Sequence, residues 1–453
     1  MKHLLSEADR CWRSLHYFRK ERERSKNYTF GRQWNDMIYV DGRQISEEEF
    51  ILSEGHLPLK NNLIRRIVRN IIGVFRRQLA EKMEKWDDDM KRLAAANNLY
   101  ELYARSLEEF LISGMVVHKK WVGRRNGQNG IWTEMISPAS FFFNPSASDS
   151  LGADFSFVGQ YHEVDLNDFC DAFVSNPEQF ARAVEIFGMS NTRTIKITEI
   201  WQRERRPRRL VHIPDSAAVR CIEEHEWRQR KDLHKLKSRW FLHDVWRFYF
   251  LSPDGSVLAE GDSPYPHRSH PYVFKAYPFL DREIHSFVSD TIDQQRYTNR
   301  LITMYDWIMR ASAKGVLLLP EGCVAPDQIQ NVANEWGRFN GVIVYRPRPG
   351  NPEPKQINGG SPHMDISELL SIQLKMLEDV SGVNSALRGN LSSNSISGSL
   401  YNQQTQNAMT SLSDILDSFA SFISAASEKD RWLMTALAKK NLSNSQNNYN
   451  FAF

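Results

Sequence analysis

Four groups of side chains in this sequence have types and spacings that chemistry could use. Asp290 and Asp293 lie three residues apart, which on a helix sets both carboxylates on one face, as a general acid and base would need. No His or Lys is spaced to assist them, so they read as solvated or inter-subunit carboxylates. His225, His234 and His243 recur every nine residues, a spacing that does not stack ligands on successive turns, and no Cys or Glu pattern completes a metal site. Asp87-Asp88-Asp89 has the composition of a metal cluster, but an acidic run ahead of an apolar-periodic segment reads as an N-cap and first helical turn. The fourth group is the polar stretch Ser381–Gln406, in which Arg388 is the only charged residue. Arg388, Asn390, Ser392, Ser393, Asn394 and Ser395 suit weak, sequence-blind contact with a phosphate backbone.

The motifs of nucleotide hydrolysis (G-x-x-x-x-G-K-[ST]), of a nucleophile elbow (G-x-S-x-G) and of zinc proteolysis (H-E-x-x-H) are absent. No catalytic, cofactor-binding or metal-ligating residue is therefore expected, and the chain does not read as an enzyme.

The elements that must position these groups follow from pattern. The chain has 453 residues, 41% apolar, with 58 Lys+Arg against 55 Asp+Glu for a net charge of +3. It can bury a sizeable core, and any polyanion binding must be local. Cys11, Cys170, Cys221 and Cys323 are far apart and form no C-x-x-C pair, which fits a reducing compartment better than a disulfide framework. No apolar run approaches the ~20 residues a bilayer span needs.

Residues 1–26 read as one charged helix and 59–86 as an amphipathic helix with Ile64, Ile67, Val68, Ile71 and Phe75 on one face. Residues 88–121 read as a second long helix able to pack on it as a hairpin. The period then changes. Strands are expected at 131–136, 154–164 and 194–203, a loop or short strand at 141–145, and short helices at 165–174 and 177–187. The stretch 201–240 holds twelve Lys/Arg against six Asp/Glu and reads as a solvated basic helix, or else a nucleic-acid contact. A hairpin is expected around Pro253-Asp254-Gly255. From Arg282 to about Ala313 the pattern is helical, a rod of about 45 Å. Its middle, with Asp290, Asp293, Gln294, Gln295, Arg296, Asn299 and Arg300, is more polar than a buried helix of a monomer, which suggests contacts across subunits or a wet channel. A compact insert follows, with strands at 316–319 and 341–346 and a helix at 326–336. Its proline-dense loop 346–355 reads either as a surface turn or as a rigid knob presenting Arg346, Arg348 and Lys355 to a partner. Helices at 364–380 and from Met409 onward bracket the polar loop, and the tail 441–453 reads as frayed.

The order of these features resembles the portal proteins of tailed bacteriophages, the podovirus type in particular. The resemblance rests on Pro58–Ile64 with Val68–Arg77, on Ser137-Pro138 through Asn144-Pro145-Ser146-Ala147, and on Glu199–Arg203. It continues through Ser263–His267 and Asp293-Gln294-Gln295-Arg296-Tyr297-Thr298-Asn299 to Val380–Asn384 with Ser397-Gly398 and Gln403-Gln404. It implies an α+β portal fold with an α/β wing, long stem helices, a small α/β clip inserted between them, and a long C-terminal helix toward the crown. The corresponding segments are a wing at 1–280, stem helices at 281–313 and 363–381, a clip at 314–362, a tunnel loop at 382–398, a wing- or crown-side helix at 399–440, and a polar tail at 441–453. It further implies a dodecameric ring at one capsid vertex of the virion, assembled in the bacterial cytoplasm. Such a ring conducts double-stranded DNA in packaging and ejection. It meets the terminase large subunit, head-tail adaptor proteins and the major capsid or scaffolding protein, and no membrane. Two other readings compete: a nucleic-acid-binding module, and a mobile-element nuclease working through 201–240 and Asp290. The nuclease needs clustered acidic or His residues, which the sequence does not supply.

Overall fold

A computed structural model describes residues 1–125, 127–188, 193–213, 218–314, 316–319, 324, 326–337, 355–357, 366–383 and 398–442. The expected strand at 341–346, the proline loop except Lys355, the polar loop from 384 to 397 and the tail from 443 onward lie outside these residues. The chain divides into two compact units that do not follow chain order. The first gathers residues 1–30, 63–292 and 378–453, and the second gathers 31–62 and 293–377.

The first unit opens with α1 (Lys2–Ser14) and α2 (His16–Thr29), two helices where the charge pattern predicts one. The break at Leu15 leaves α1 free to lay Leu4, Ala8 and Cys11, one residue per turn, on a sheet face made by Phe142, Phe157, Ile200, Tyr249 and Leu251. Helix α4 (Leu63–Glu84) packs against α6 (Leu99–Ser113), and Arg76 reaches Glu101 across the pair at 2.5 Å. Between them α5 (Asp88–Ala96) starts where the acidic run predicts, with the Asp87 side chain accepting from Met90 N at 2.8 Å.

The helix expected over 88–121 is corrected in two places. Asn98 adopts the left-handed conformation (φ 48°) and separates α5 from α6. Gly114 (φ 76°) then ends α6, and β3 (Met115–Arg125) begins at once. A Cβ on Gly114 would lie 1.7 Å from the His285 carbonyl oxygen, so both its conformation and its neighbour demand glycine. Val116 and Val117 then favour the strand.

β3 is central in a three-stranded antiparallel sheet between β4 (Gln128–Ile136) and β11 (Tyr272–Ala276). The second sheet has six strands: β5 (Phe141–Phe143), β6 (Phe157–Asp165), β7 (Thr194–Ile213), β8 (Ala218–Glu223), β9 (Ser238–Leu251) and β10 (Val257–Asp262). Helices α7 (Leu166–Phe173) and α8 (Pro177–Gly188) connect β6 to β7, as expected. Phe141, Phe143, Phe155 and Phe274 join the two sheets through ring contacts of 5.0–6.2 Å. The basic stretch is not a helix. It is the outer half of β7, then β8, a short helix α9 (Glu224–Gln229), a 3-10 turn at Lys231–Lys235, and the start of β9, with β7 and β9 paired from Thr198 to Val211.

In the second unit β1 (Met37–Val40) and β2 (Arg43–Ser46) form a hairpin through Asp41 and Gly42, both with positive φ. Helix α3 (Glu47–Ser53) follows, capped by the Ser46 side chain on Glu49 N. After the two-residue strands β12 (Phe279–Leu280) and β13 (Glu283–Ile284), helix α10 (Phe287–Lys314) starts in the first unit and continues into the second. Then come β14 (Val316–Leu318), α11 (Ile329–Gly337), β15 (Lys355–Ile357), antiparallel to β14, and α12 (Ile366–Ser381). The last element, α13 (Gly398–Leu442), is 45 residues long. It buries Leu412, Leu416, Phe419, Phe422, Ile423 and Ala426 against α6, β3 and β11.

Candidate functional site

Helix α10 carries the predicted polar set. It is nucleated by a reciprocal cap in which Ser286 N donates to Ser289 Oγ and Ser289 N to Ser286 Oγ. Its polar residues divide by facing. Gln295 and Asn299 are buried, and their bonds close on the second unit's own backbone and side chains. Gln295 Nε2 donates to Asn61 O at 2.6 Å and to Asn299 Oδ1 at 3.0 Å. Asn299 Nδ2 donates to Gln33 Oε1 at 2.7 Å and Asn299 Oδ1 accepts from Asn61 N at 3.2 Å. Gln294 bonds to Gln373 of α12. Arg296 and Arg300, one turn apart, both bind the buried Glu47 carboxylate, and Arg300 keeps half of its side chain in solvent. Asp290 and Asp293 are exposed. So part of the set holds the chain together, and the two acids and Arg300 face outward.

The exposed surface of these helices is not only polar. Tyr297, Tyr305, Trp307 and Met309 on α10, and Ile372 and Met376 on α12, are each about half exposed. Beside them a cleft of about 370 Å³ is lined by Trp34, Phe50, Ile51, Met304 and Trp307, with Glu47 and Arg300 at its edge. Solvent-facing aromatic and apolar side chains gathered on two long helices are what an interface presents.

A buried ionic network in the first unit has no counterpart in the sequence reading. Successive residues of β3 point to opposite faces. Lys119 reaches Glu199 at 2.7 Å on one side, and Lys120 reaches both oxygens of Asp430 on α13 at 2.6 Å on the other. All four side chains are essentially inaccessible to solvent. Glu199 also accepts from Trp201 Nε1 at 2.8 Å and lies 2.7 Å from His162 Nε2. Burial alone would push the Glu199 carboxyl up, but Lys119 and His162 hold it well below the usual carboxylate range. Burial lowers the Lys120 ammonium and raises the Asp430 carboxyl, and each charge opposes the other's shift. The residue before Asp430, Lys429, donates to the His270 and Tyr272 carbonyls of the β11 segment, and burial with Lys120 nearby brings its pKa down to about 7. The signal in the sequence is Lys119-Lys120 set inside Val116-Val117-His118 and Trp121, two cations where an apolar strand has none to spare.

About half of the cations in the basic stretch pair with acids in or near it. Arg206 pairs with Glu204 and Asp262, Arg208 with Glu223, Arg209 with Glu224, and Arg230 with Asp232. The three histidines separate: His225 lies near Glu223, His234 stacks on Trp227, and His243 approaches Phe241. Among the described residues no group of three or more His, Cys, Asp or Glu is placed to hold a metal ion. No helix among them is long and apolar enough to cross a membrane. Lys355 is exposed on β15. Arg346, Arg348, Arg388, Asn390, Ser392, Ser393, Asn394 and Ser395 lie outside the described residues.

No curated protein matches the chain. The family model described as phage P22-like portal protein matches residues 6–430, nearly the whole of it and including the N-terminal helices. That family is a structural, non-enzymatic component of the tailed-phage capsid, associated as a ring oligomer with the capsid vertex and the packaging terminase. The chain belongs to the phage P22-like portal protein family.

Proposed function

We propose that the chain closes into a dodecameric ring at one vertex of the capsid, and that the ring is the channel through which DNA enters in packaging and leaves in ejection. In this reading residues 1–280 are the wing and 281–313 and 363–381 are the stem helices. Residues 314–362 are the clip, 382–398 a tunnel loop, and 399–440 a helix on the wing or crown side. Arg388 and the Ser/Asn residues after it meet the phosphate backbone weakly, so the duplex slides. Asp290, Asp293 and Arg300 face the neighbouring copy, while Arg346, Arg348 and Lys355 meet terminase during packaging and head-tail adaptors afterwards. Assembly takes place in the host cytoplasm, with capsid or scaffolding protein as the further partner.

The observation that carries this reading beyond family membership is the outer surface of α10 and α12. Tyr305, Trp307, Met309, Ile372 and Met376 are too exposed for a finished surface, and they sit beside charged residues of both signs. A ring made by rotation uses two different patches that meet head to tail, and such mixed helices supply them. The internal pairing of Arg206, Arg208, Arg209 and Arg230 argues against a monomeric nucleic-acid-binding module, which needs its cations free. The test is the mass of the purified full chain in solution, followed by negative-stain imaging. A ring with a central hole is expected. A stable monomer at every salt and protein concentration overturns the proposal.

A further inference from the structure

Helix α12 carries more apolar face than the chain itself covers. Gln373 and Leu377 mark the side that is buried. Next to that side around the helix, Leu369, Ile372 and Met376 follow at steps of three and four and form a ridge about 10 Å long. These three side chains are 39–49% exposed, although their spacing is that of a core face. Glu368 and Lys375, both exposed, run along the flank of the ridge that lies away from Gln373.

The cleft of about 370 Å³ beside α10 has the converse form. Its lining is apolar, with Trp34, Phe50, Ile51 and Met304, and with Trp307 half exposed among them. Two opposite charges also line it: Glu54, which is exposed, and Arg300, which keeps half of its side chain in solvent while sharing Glu47 with Arg296. Glu54, Glu368 and Lys375 form no ion pair among the described residues. A ring of identical copies closes through two unlike patches that fit each other. A convex apolar ridge flanked by an acid and a base, and a concave apolar cleft edged by a base and an acid, match in shape and in charge.

We infer that the α12 ridge of one copy docks into this cleft of the next, with Lys375 against Glu54 and Glu368 against Arg300. The inference rests on the ring reading and adds which two surfaces meet. Anchors at i, i+3 and i+7 laid into an apolar groove are a recurrent mode of helix recognition. A small apolar molecule, the other candidate for the cleft, would leave Glu54 and Arg300 unmatched.

The test uses variants of the full chain read by sedimentation velocity. Ile372→Glu with Met376→Glu disables the ridge, and Trp307→Glu with Glu54→Lys disables the cleft. All four side chains are exposed or half exposed, so thermal unfolding should not change. Each variant alone should need at least about tenfold more protein than the parent to form rings. Mixed in equal amounts, the two should form a dimer and stop there, because one intact ridge then meets one intact cleft. In a second arm, Lys375→Glu and Glu54→Lys should each weaken assembly, and the two in one chain should restore it. Rings from either disabled variant at the parent's concentration, no dimer from the mixture, or a charge exchange no better than its single changes overturns the inference, while rings of the parent keep the ring reading. A small molecule in the cleft would leave the charge exchange without effect. A parent that never forms rings overturns the ring reading and this inference with it.

Discussion

The molecule buries polar groups in two places and does so by different means. At the junction of β3 with α13, full charges are sealed from water: Lys120 with Asp430, and Lys119 with Glu199. Along α10 the buried groups are neutral amides, Gln295, Asn299 and Gln33, and the one buried acid, Glu47, is held by Arg296 and by an Arg300 that remains half in solvent. A sealed ion pair tolerates only one arrangement, because loss of either partner strands the other in a low dielectric. An amide network with a half-open arginine can exchange a bond for water at small cost. The first region therefore fixes where the C-terminal helix docks. The second suits a helix whose outer face must adapt to another surface.

The largest effect expected from this difference is at Asp430. Asp430→Ala leaves Lys120 buried and unpaired and should destabilise the chain by about 3–5 kcal/mol, read by urea denaturation. The double change Lys120→Met with Asp430→Leu should recover most of that loss. If Asp430→Ala unfolds at the same urea concentration as the parent, the pair does not hold α13 in place.

Next comes pH, which should act on the first region. The Glu199 carboxyl titrates lower in the folded chain than in the unfolded one. Its contribution is complete above the ordinary Glu range and is lost as pH falls through and below it. His162 has its pKa lowered, by burial first, so the folded state also resists taking that proton as pH falls below the usual His range. Both signs agree: thermal stability should decline on acidification from pH 7 toward 4. Glu199→Gln should lower stability at pH 7 and flatten that dependence. A parent whose melting point is unchanged between pH 7 and 4 would contradict the linkage.

The two regions were also unequally legible in the sequence. The polar run on α10 stands out because seven charged or amide side chains within eleven residues break the apolar stripe, and the helix is there. What the pattern hides is that Gln295 and Asn299 pair with Gln33 and Asn61, more than 230 residues earlier in the chain. The long periods of α4, α12 and α13, the Asp87 cap and the Pro253–Gly255 turn are local signals and read correctly. β3 was obscured because Leu107, Phe110, Leu111 and the valines that follow continue a helical spacing, and only Gly114 marks the stop. The basic stretch misleads for a related reason. Arg205, Arg206, Arg208 and Arg209 resemble a solvated helical face, whereas in a paired strand several of them find acids on neighbouring strands. Lys119 and Lys120 are the clearest omission, because a partner 310 residues away for Lys120 leaves no trace in local pattern.

A smaller effect is expected on α10. Glu47→Gln removes the charge shared by two arginines, and because Arg300 is 53% exposed much of that interaction is screened. A loss of about 1–2 kcal/mol in urea denaturation is expected, well short of Asp430→Ala. A loss as large as that of Asp430→Ala would erase the distinction between the two regions.

The smallest effect on the chain itself should come from Asp290→Asn with Asp293→Asn. Both carboxylates are exposed, so stability should move by no more than about 0.5 kcal/mol. Assembly should not be so indifferent. If these acids meet a neighbouring copy, the ring of the double variant should form at a different protein concentration, and its salt dependence should weaken, as sedimentation velocity would read. Unchanged chain stability with altered assembly places the pair on the contact surface. Unchanged stability with unchanged assembly leaves them as solvated carboxylates, and the adaptable face of α10 would then rest on Tyr305, Trp307 and Met309 alone.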